Sequence, residues 1–167
     1  DVPAKPSAPT NAQASDGQAT VTIKAPADNG KTIDQYRVSG GPNVVTTTSV
    51  GTVKITGLTN GKSYSFTVAA HNSDGWSETS APSQSVTPYG TPTRVSGATI
   101  RSSGNAPSDL TMSWDALSDP SGTGGGQATY HYSLNGGPGQ STTGTSAKAT
   151  NKGAGTYSFQ IYATNAG

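Results

Sequence analysis

Apolar and polar residues alternate along this chain with a period of two. The runs are short and are cut by Gly, Pro, Asn and Asp, and no stretch keeps the period of an amphipathic helix. In ATVTIKAP, Ala19 to Pro26, Val21 and Ile23 share a face. In IDQYRVSGGP, Ile33 to Pro42, Tyr36 and Val38 point inward and Gln35 and Arg37 outward. VKIT, around Ile55, is a short strand before the turn GLTNG. KSYSFTVAAHN, Lys62 to Asn72, is the longest run, with Tyr64, Phe66, Val68 and Ala70 inward, and QSVTP near Val86 closes the set. Some seven short strands separated by turns predict a β-sandwich, and the chain is expected to be all-β.

The pattern then repeats. YRVSGGP (Tyr36 to Pro42) returns as YSLNGGP (Tyr132 to Pro138), 96 residues on, and Tyr64 returns as Tyr157, 93 residues on. TVTIK is matched by LTMSW, which places Trp114 where Ile23 stands. Similar offsets from separate matches predict two tandem modules, 1–89 and 90–167, joined at the short proline-bearing stretch TPYGTPT. The second module carries an extra stretch, DPSGTGGGQ (Asp119 to Gln127), whose glycines predict the most mobile loop of the chain. It ends where the strand after Tyr157 finishes, so its last strand is expected to be missing. The open edge is expected to be covered by the linker or another molecule, or to be poorly ordered.

LTNGKSYSFTVAAHN resembles the L-x-x-G-x-x-Y-x-F-x-V-x-A-x-N motif of fibronectin type III domains, and PSAPTN resembles their proline-led first strand. The resemblance implies two tandem fibronectin type III-like, immunoglobulin-like sandwiches. It gives Tyr64 and Tyr157 the family's corner role, in which a tyrosine hydroxyl bonds the turn backbone just upstream. It also makes Trp114 the core tryptophan, from which Ile23 departs. Sandwiches of this type host many roles, so function must come from particular residues.

Composition narrows those roles. The net charge is only +1, so no long-range field draws nucleic acid or an anionic membrane to the chain. With no cysteine there is neither a disulfide framework nor a thiolate metal site, a usage that fits bacterial surface or secreted proteins. No apolar run is long enough to span a bilayer, and DVPAKPSAPT lacks the regions of a signal peptide and reads as a linker within a longer chain. The two histidines, His71 and His131, lie in different modules; the first belongs to an outward set and the second reads as structural. G-x-S-x-G and H-E-x-x-H do not occur. Asp28, Asp34, Asp74 and Asp119 sit at turns, where Asp bonds its own backbone. DPSGTGGG lacks the spaced carboxylates of a calcium loop. The expectation is a chain without catalytic activity, metal or cofactor.

One stretch carries a sharper hint. Trp76-Ser77-Glu78-Thr79-Ser80 resembles the W-S-x-W-S motif of class I cytokine receptors, with Thr79 in place of the second tryptophan. That resemblance implies tryptophans stacked with arginines, and Arg37 is the candidate for one such rung. The alternative, which is preferred, resembles the G-x-S-x-x-S turn of bacterial fibronectin-like modules. Gly75 then allows positive φ, Ser77 and Ser80 bond the hairpin backbone, and Trp76 covers the end of the sheet.

The expected function is an extracellular protein-binding or adhesion segment of a bacterial surface protein. Its contacts would be Trp76, Glu78, Arg37, Asn43 and Val44, with Tyr89 and Arg94 at the junction. A protein partner is expected, a host or cytokine-like protein included, in preference to a polysaccharide; nucleic acid and direct membrane contact are not. The alternatives are a spacer in a polysaccharide-degrading enzyme and the ectodomain of a membrane-anchored signalling protein.

Overall fold

The computed structural model describes residues 1–167, and they separate into two compact units, Asp1–Tyr89 and Gly90–Gly167. In the first unit one sheet has the order β1-β2-β5, with β1 spanning Thr10–Ser15, β2 Gln18–Ile23 and β5 Gly51–Ile55. The second sheet has the order β4-β3-β6-β7, where β3 is Gln35–Ser39, β4 Val45–Thr47, β6 Thr67–Asn72 and β7 Gly75–Trp76. All paired strands are antiparallel. The core lies between the sheets, as the alternation dictates. Ala19, Val21, Ile23, Val53 and Ile55 come from the first sheet and Tyr36, Val38, Val68 and Ala70 from the second, with Leu58, Tyr64 and Phe66 closing it. Phe66, Val68 and Val21 are fully buried, which stabilises by about 1.5–3 kcal/mol for each large apolar side chain.

The second unit repeats this plan. One sheet has the order β12-β9-β8, with β8 at Thr99–Ser102, β9 at Ser108–Ser113 and β12 at Ser146–Lys152. The other is β11-β10-β13, with β10 at Thr129–Leu134, β11 at Gln140–Thr142 and β13 at Phe159–Thr164. Trp114 is buried at its centre, with ring contacts to Tyr130, Tyr132 and Phe159. Its indole Nε1 is buried without a partner, at a cost of about 1–3 kcal/mol.

Three sequence readings change here. The match of Tyr36 to Tyr132 is two residues out: Tyr36 pairs with Ala70, and Ala163, 93 residues beyond Ala70, pairs with Tyr130. Tyr130, not Tyr132, occupies the buried position, and a slide of two residues keeps every side chain on its face, so alternation alone cannot detect it. The long run from Lys62 is regular strand only from Thr67, while Tyr64 is held by an isolated bridge to Val86. The glycine-rich insert is not a loose loop. Thr123, Gly124 and Gly125 are buried, Gly90 N–H donates to Gly124 O at 2.7 Å and Thr93 N–H to Gly122 O at 2.7 Å. Gly124 has φ +73°, and a Cβ there would lie 2.2 Å from Gly90 O, so glycine serves close backbone packing and not slack.

Candidate functional site

The segment after β7 is built on serines three residues apart. Ser77, Ser80 and Ser83 run beside the preceding strand, and their N–H groups donate to the carbonyls of Ala70 (2.8 Å), Val68 (2.9 Å) and Phe66 (2.8 Å). In a regular antiparallel ladder each of those three residues would donate its own N–H to a neighbouring carbonyl. Here the serine hydroxyls take that place, accepting from Ala70 N at 3.0 Å, Val68 N at 2.9 Å and Phe66 N at 3.0 Å. Each hydroxyl then donates to the carbonyl of the next residue, Glu78, Ala81 or Gln84. Three residues of the strap thus advance against two of the strand, and all three serines are buried with their N–H and hydroxyl groups bonded. Gly75 starts the strap at φ +126°, as the turn reading requires. Ser83 was not singled out from the sequence, although the period Ser77-Ser80-Ser83 was its signal.

This strap sets Trp76 on the outward face of the second sheet. The Arg37 Cζ lies 4.4 Å from the Trp76 ring centroid, and His71, paired with Trp76 across β6 and β7, places its ring 4.8 Å away at a tilt of 56°. His71 Nδ1 is 2.7 Å from Asp34 Oδ1, so it is a half-buried element of the stack and not a freely solvated residue. Ala69 points outward yet is buried, consistent with cover from this stack. Trp76 and Arg37 are half-buried and Glu78 is exposed. Asn43 and the 57% exposed Val44 lie beyond the far end of β3, away from the turn that bears Trp76. The expected contact residues of the first unit therefore divide between two ends of one sheet. Tyr89 is half-buried at the end of that unit, and Arg94 is exposed at the start of the second.

The corner tyrosines differ in role. Tyr64 is buried, and its hydroxyl oxygen accepts from Thr59 N–H at 2.9 Å. Burial pushes this hydroxyl up, but the Thr59 bond and the nearby Lys62 outweigh it and leave it below the ordinary tyrosine value. Tyr157 is only half-buried, and its hydroxyl donates to Gly153 O at 2.9 Å.

Two asparagines act as clamps that the sequence reading overlooked. Asn72 is completely buried; its Nδ2 donates to the carbonyls of Asp1 (2.9 Å) and Asp28 (3.2 Å), and its Oδ1 accepts from Asp74 N. Asn165, 93 residues on, repeats this with Nδ2 bonds to Gly90 O at 2.7 Å and Thr123 O at 2.9 Å. Two turn aspartates are used locally, Asp28 Oδ1 accepting from Gly30 N and Asp119 Oδ1 from the Thr123 hydroxyl, while Asp74 pairs with the sequence-distant Lys31.

In the second unit Asn165 reaches the linker at Gly90, but the outer edge of β13 has no strand beside it among residues 90–167. On the outward face of that sheet His131 and Tyr162 stack, centroids 4.8 Å apart and 11° from parallel. Tyr162 is 61% exposed.

Alternating strands, two facing sheets in each unit, a tyrosine corner and a strap bonded along the sixth strand define an all-β protein of tandem fibronectin type III-like sandwiches. Residues 5–86 match the family "Fibronectin type III domain". The chain is 32% identical to Chitinase A1 of Niallia circulans, in an alignment covering 96% of this chain and 24% of the chitinase. The chain thus spans about a quarter of that relative's length. Among solved structures, the FN1–FN3 domains of chicken CNTN1 superpose with a TM-score of 0.51 at 18% identity, covering 98% of this chain and 62% of that one, a likeness of fold alone.

Proposed function

We propose that these sandwiches are non-catalytic accessory modules of a secreted polysaccharide-degrading enzyme, where they space a catalytic domain from its polymer. The observation that carries this reading is the likeness to Chitinase A1 along nearly the whole chain. The geometry agrees with it. Both units are filled sandwiches; the loop carboxylates Asp28 and Asp119 are bonded to their own turns, and Asn72 and Asn165 are held by backbone carbonyls distant in sequence. The test is made on the full natural polypeptide. Removing residues 1–167 is expected to leave cleavage of short soluble oligosaccharides unchanged and to slow cleavage of insoluble polymer several-fold. Equal loss on both substrates, or on neither, overturns the spacer role.

A second reading, protein binding or adhesion at a bacterial surface, is favoured by the Arg37–Trp76–His71 stack beside the exposed Glu78. A rigid, half-exposed aromatic is the type of anchor found at protein interfaces. On this reading the partner is a host protein, cytokine-like proteins included. Trp76→Ala then abolishes capture of a secreted host protein from serum while leaving the fold intact, and unchanged capture by the variant rejects it. A further alternative is the ectodomain of a membrane-anchored signalling protein; no helix of residues 1–167 is long and apolar enough to cross a membrane.

A further inference from the structure

We propose that the outward face of the β11-β10-β13 sheet is a binding site for a neutral, β-linked oligosaccharide, with Tyr162 as the stacking platform. A groove of about 300 Å³ runs over this face. Its floor is low because the central positions are small, Ser133 on β10 and Ser141 and Gly139 at β11, and one wall is the His131–Tyr162 stack with Gln160 beside it. The strand register dictates this grouping. His131 is opposite both Ser141 and Tyr162, and Ser133 is opposite Gln160, so these side chains emerge on one face.

Three features point to sugar. First, Tyr162 is 61% exposed with one ring face against His131, so among residues 1–167 its other face is accessible. A β-linked pyranose presents a face of C–H groups that lies flat on such a ring, with its equatorial hydroxyls directed to the rim. Second, the rim offers uncharged donors and acceptors, the Gln160 amide and the Ser133 and Ser141 hydroxyls, and no Asp, Glu, Lys or Arg lines the groove. An ionic ligand would find no counter-charge there, whereas hydroxyl and acetamido groups would find partners. Third, the platform is held before any ligand arrives. The His131 Nε2 is 2.8 Å from Thr164 Oγ1, which fixes the imidazole on which Tyr162 rests, and a ring already ordered loses less entropy on binding. The groove is shallow, so a stretch of glycan would lie along the sheet and not be engulfed.

The site stands on this geometry; the choice of an N-acetylglucosamine polymer among neutral β-glycans rests on the enzyme-module reading above. The experiment is a titration of the whole chain with chitohexaose and, separately, cellohexaose, followed by amide and aromatic NMR shifts. Shifts are expected to gather at His131, Ser133, Ser141, Gln160 and Tyr162. Tyr162→Ala, at an exposed position that leaves the melting temperature in place, is expected to weaken binding at least about tenfold, as truncation of an aromatic anchor does. Gln160→Ala weakens it less, and Tyr162→Phe keeps affinity within about twofold. Binding of cellohexaose but not chitohexaose supports the site and removes the chitin assignment. No shift with either glycan at millimolar concentration, equal affinity in Tyr162→Ala, or the same shifts produced only by a proline-rich peptide overturns the site. The spacer role keeps its own test, because it needs no sugar contact at this face.

Discussion

Strand β6, with Phe66 just before it, and its counterpart β13 carry similar inward residues in different surroundings. Phe66, Val68 and Ala70 are sealed, whereas Phe159, Ile161 and Ala163 are half-buried. The difference lies beside the strands. Ser77 to Val86 lie along the first and return a bond to each of its inward amides, while β13 is paired on one side only. The outward faces differ in the same sense. In the first unit the outward Ala69, paired with Arg37 of the Arg37–Trp76 stack, is buried; at the matching place in the second, Tyr162 is 61% exposed against His131. Within residues 1–167 the strand with a strap beside it is sealed and the strand without one is half-buried, although their inward residues are alike.

The largest break in this comparison comes from the cores. Phe66→Ala is expected to cost about 3–5 kcal/mol and Phe159→Ala about half of that, because the second side chain is already partly wetted. Urea denaturation followed by amide signals of each unit measures both. Next is the strap itself. Ser80→Ala removes the acceptor of the buried Val68 N–H, which is expected to cost about 1–3 kcal/mol. Hydrogen exchange at Val68 should accelerate while exchange at Ile161 stays as it was. Smaller still is the covered face. Arg37→Gln removes the cation from Trp76, a loss of about 0.5–1 kcal/mol, whereas Tyr162→Ala should change stability by less than about 0.5 kcal/mol. Thermal melts of the two variants compare the faces directly.

The smallest effect is at Asp74. The Lys31 ammonium holds its carboxyl below the usual carboxylate range. Because the folded value is the depressed one, the stabilisation is complete above the unfolded carboxylate pKa, about 3.9, and is lost as pH falls through the folded value. Asp74→Asn should therefore lower the melting temperature slightly at neutral pH, and the difference from the native chain should vanish as pH falls through the folded value.

Much of the architecture was legible in the alternation. Val21, Ile23, Tyr36, Val38 and Phe66 point inward as the period of two requires, and Trp114 fills the second core. The Gly75 turn and the bonds of Ser77 and Ser80 were also readable, since each residue type has a local reason to be there. What escaped was long-range. Asn72 and Asn165 read as ordinary turn residues until the fold brings distant carbonyls to their amides. The glycines of Asp119 to Gln127 carry the same composition whether they are slack or pressed against Gly90. Tyr162 sits in a strand whose neighbours are inward, so only the register reveals that it meets His131. Tyr89 and Arg94 remain proposals resting on their place near the linker.

The strap's spacing of three has an implication for how such a protein can be rewritten. Between the anchoring serines lie Glu78, Thr79, Ala81 and Pro82, all facing water. Their side chains answer to nothing in the interior. Two letters in every three along this edge are therefore open to revision, and an engineer could inscribe a new recognition sequence there while the hydroxyl rungs hold the scaffold unchanged.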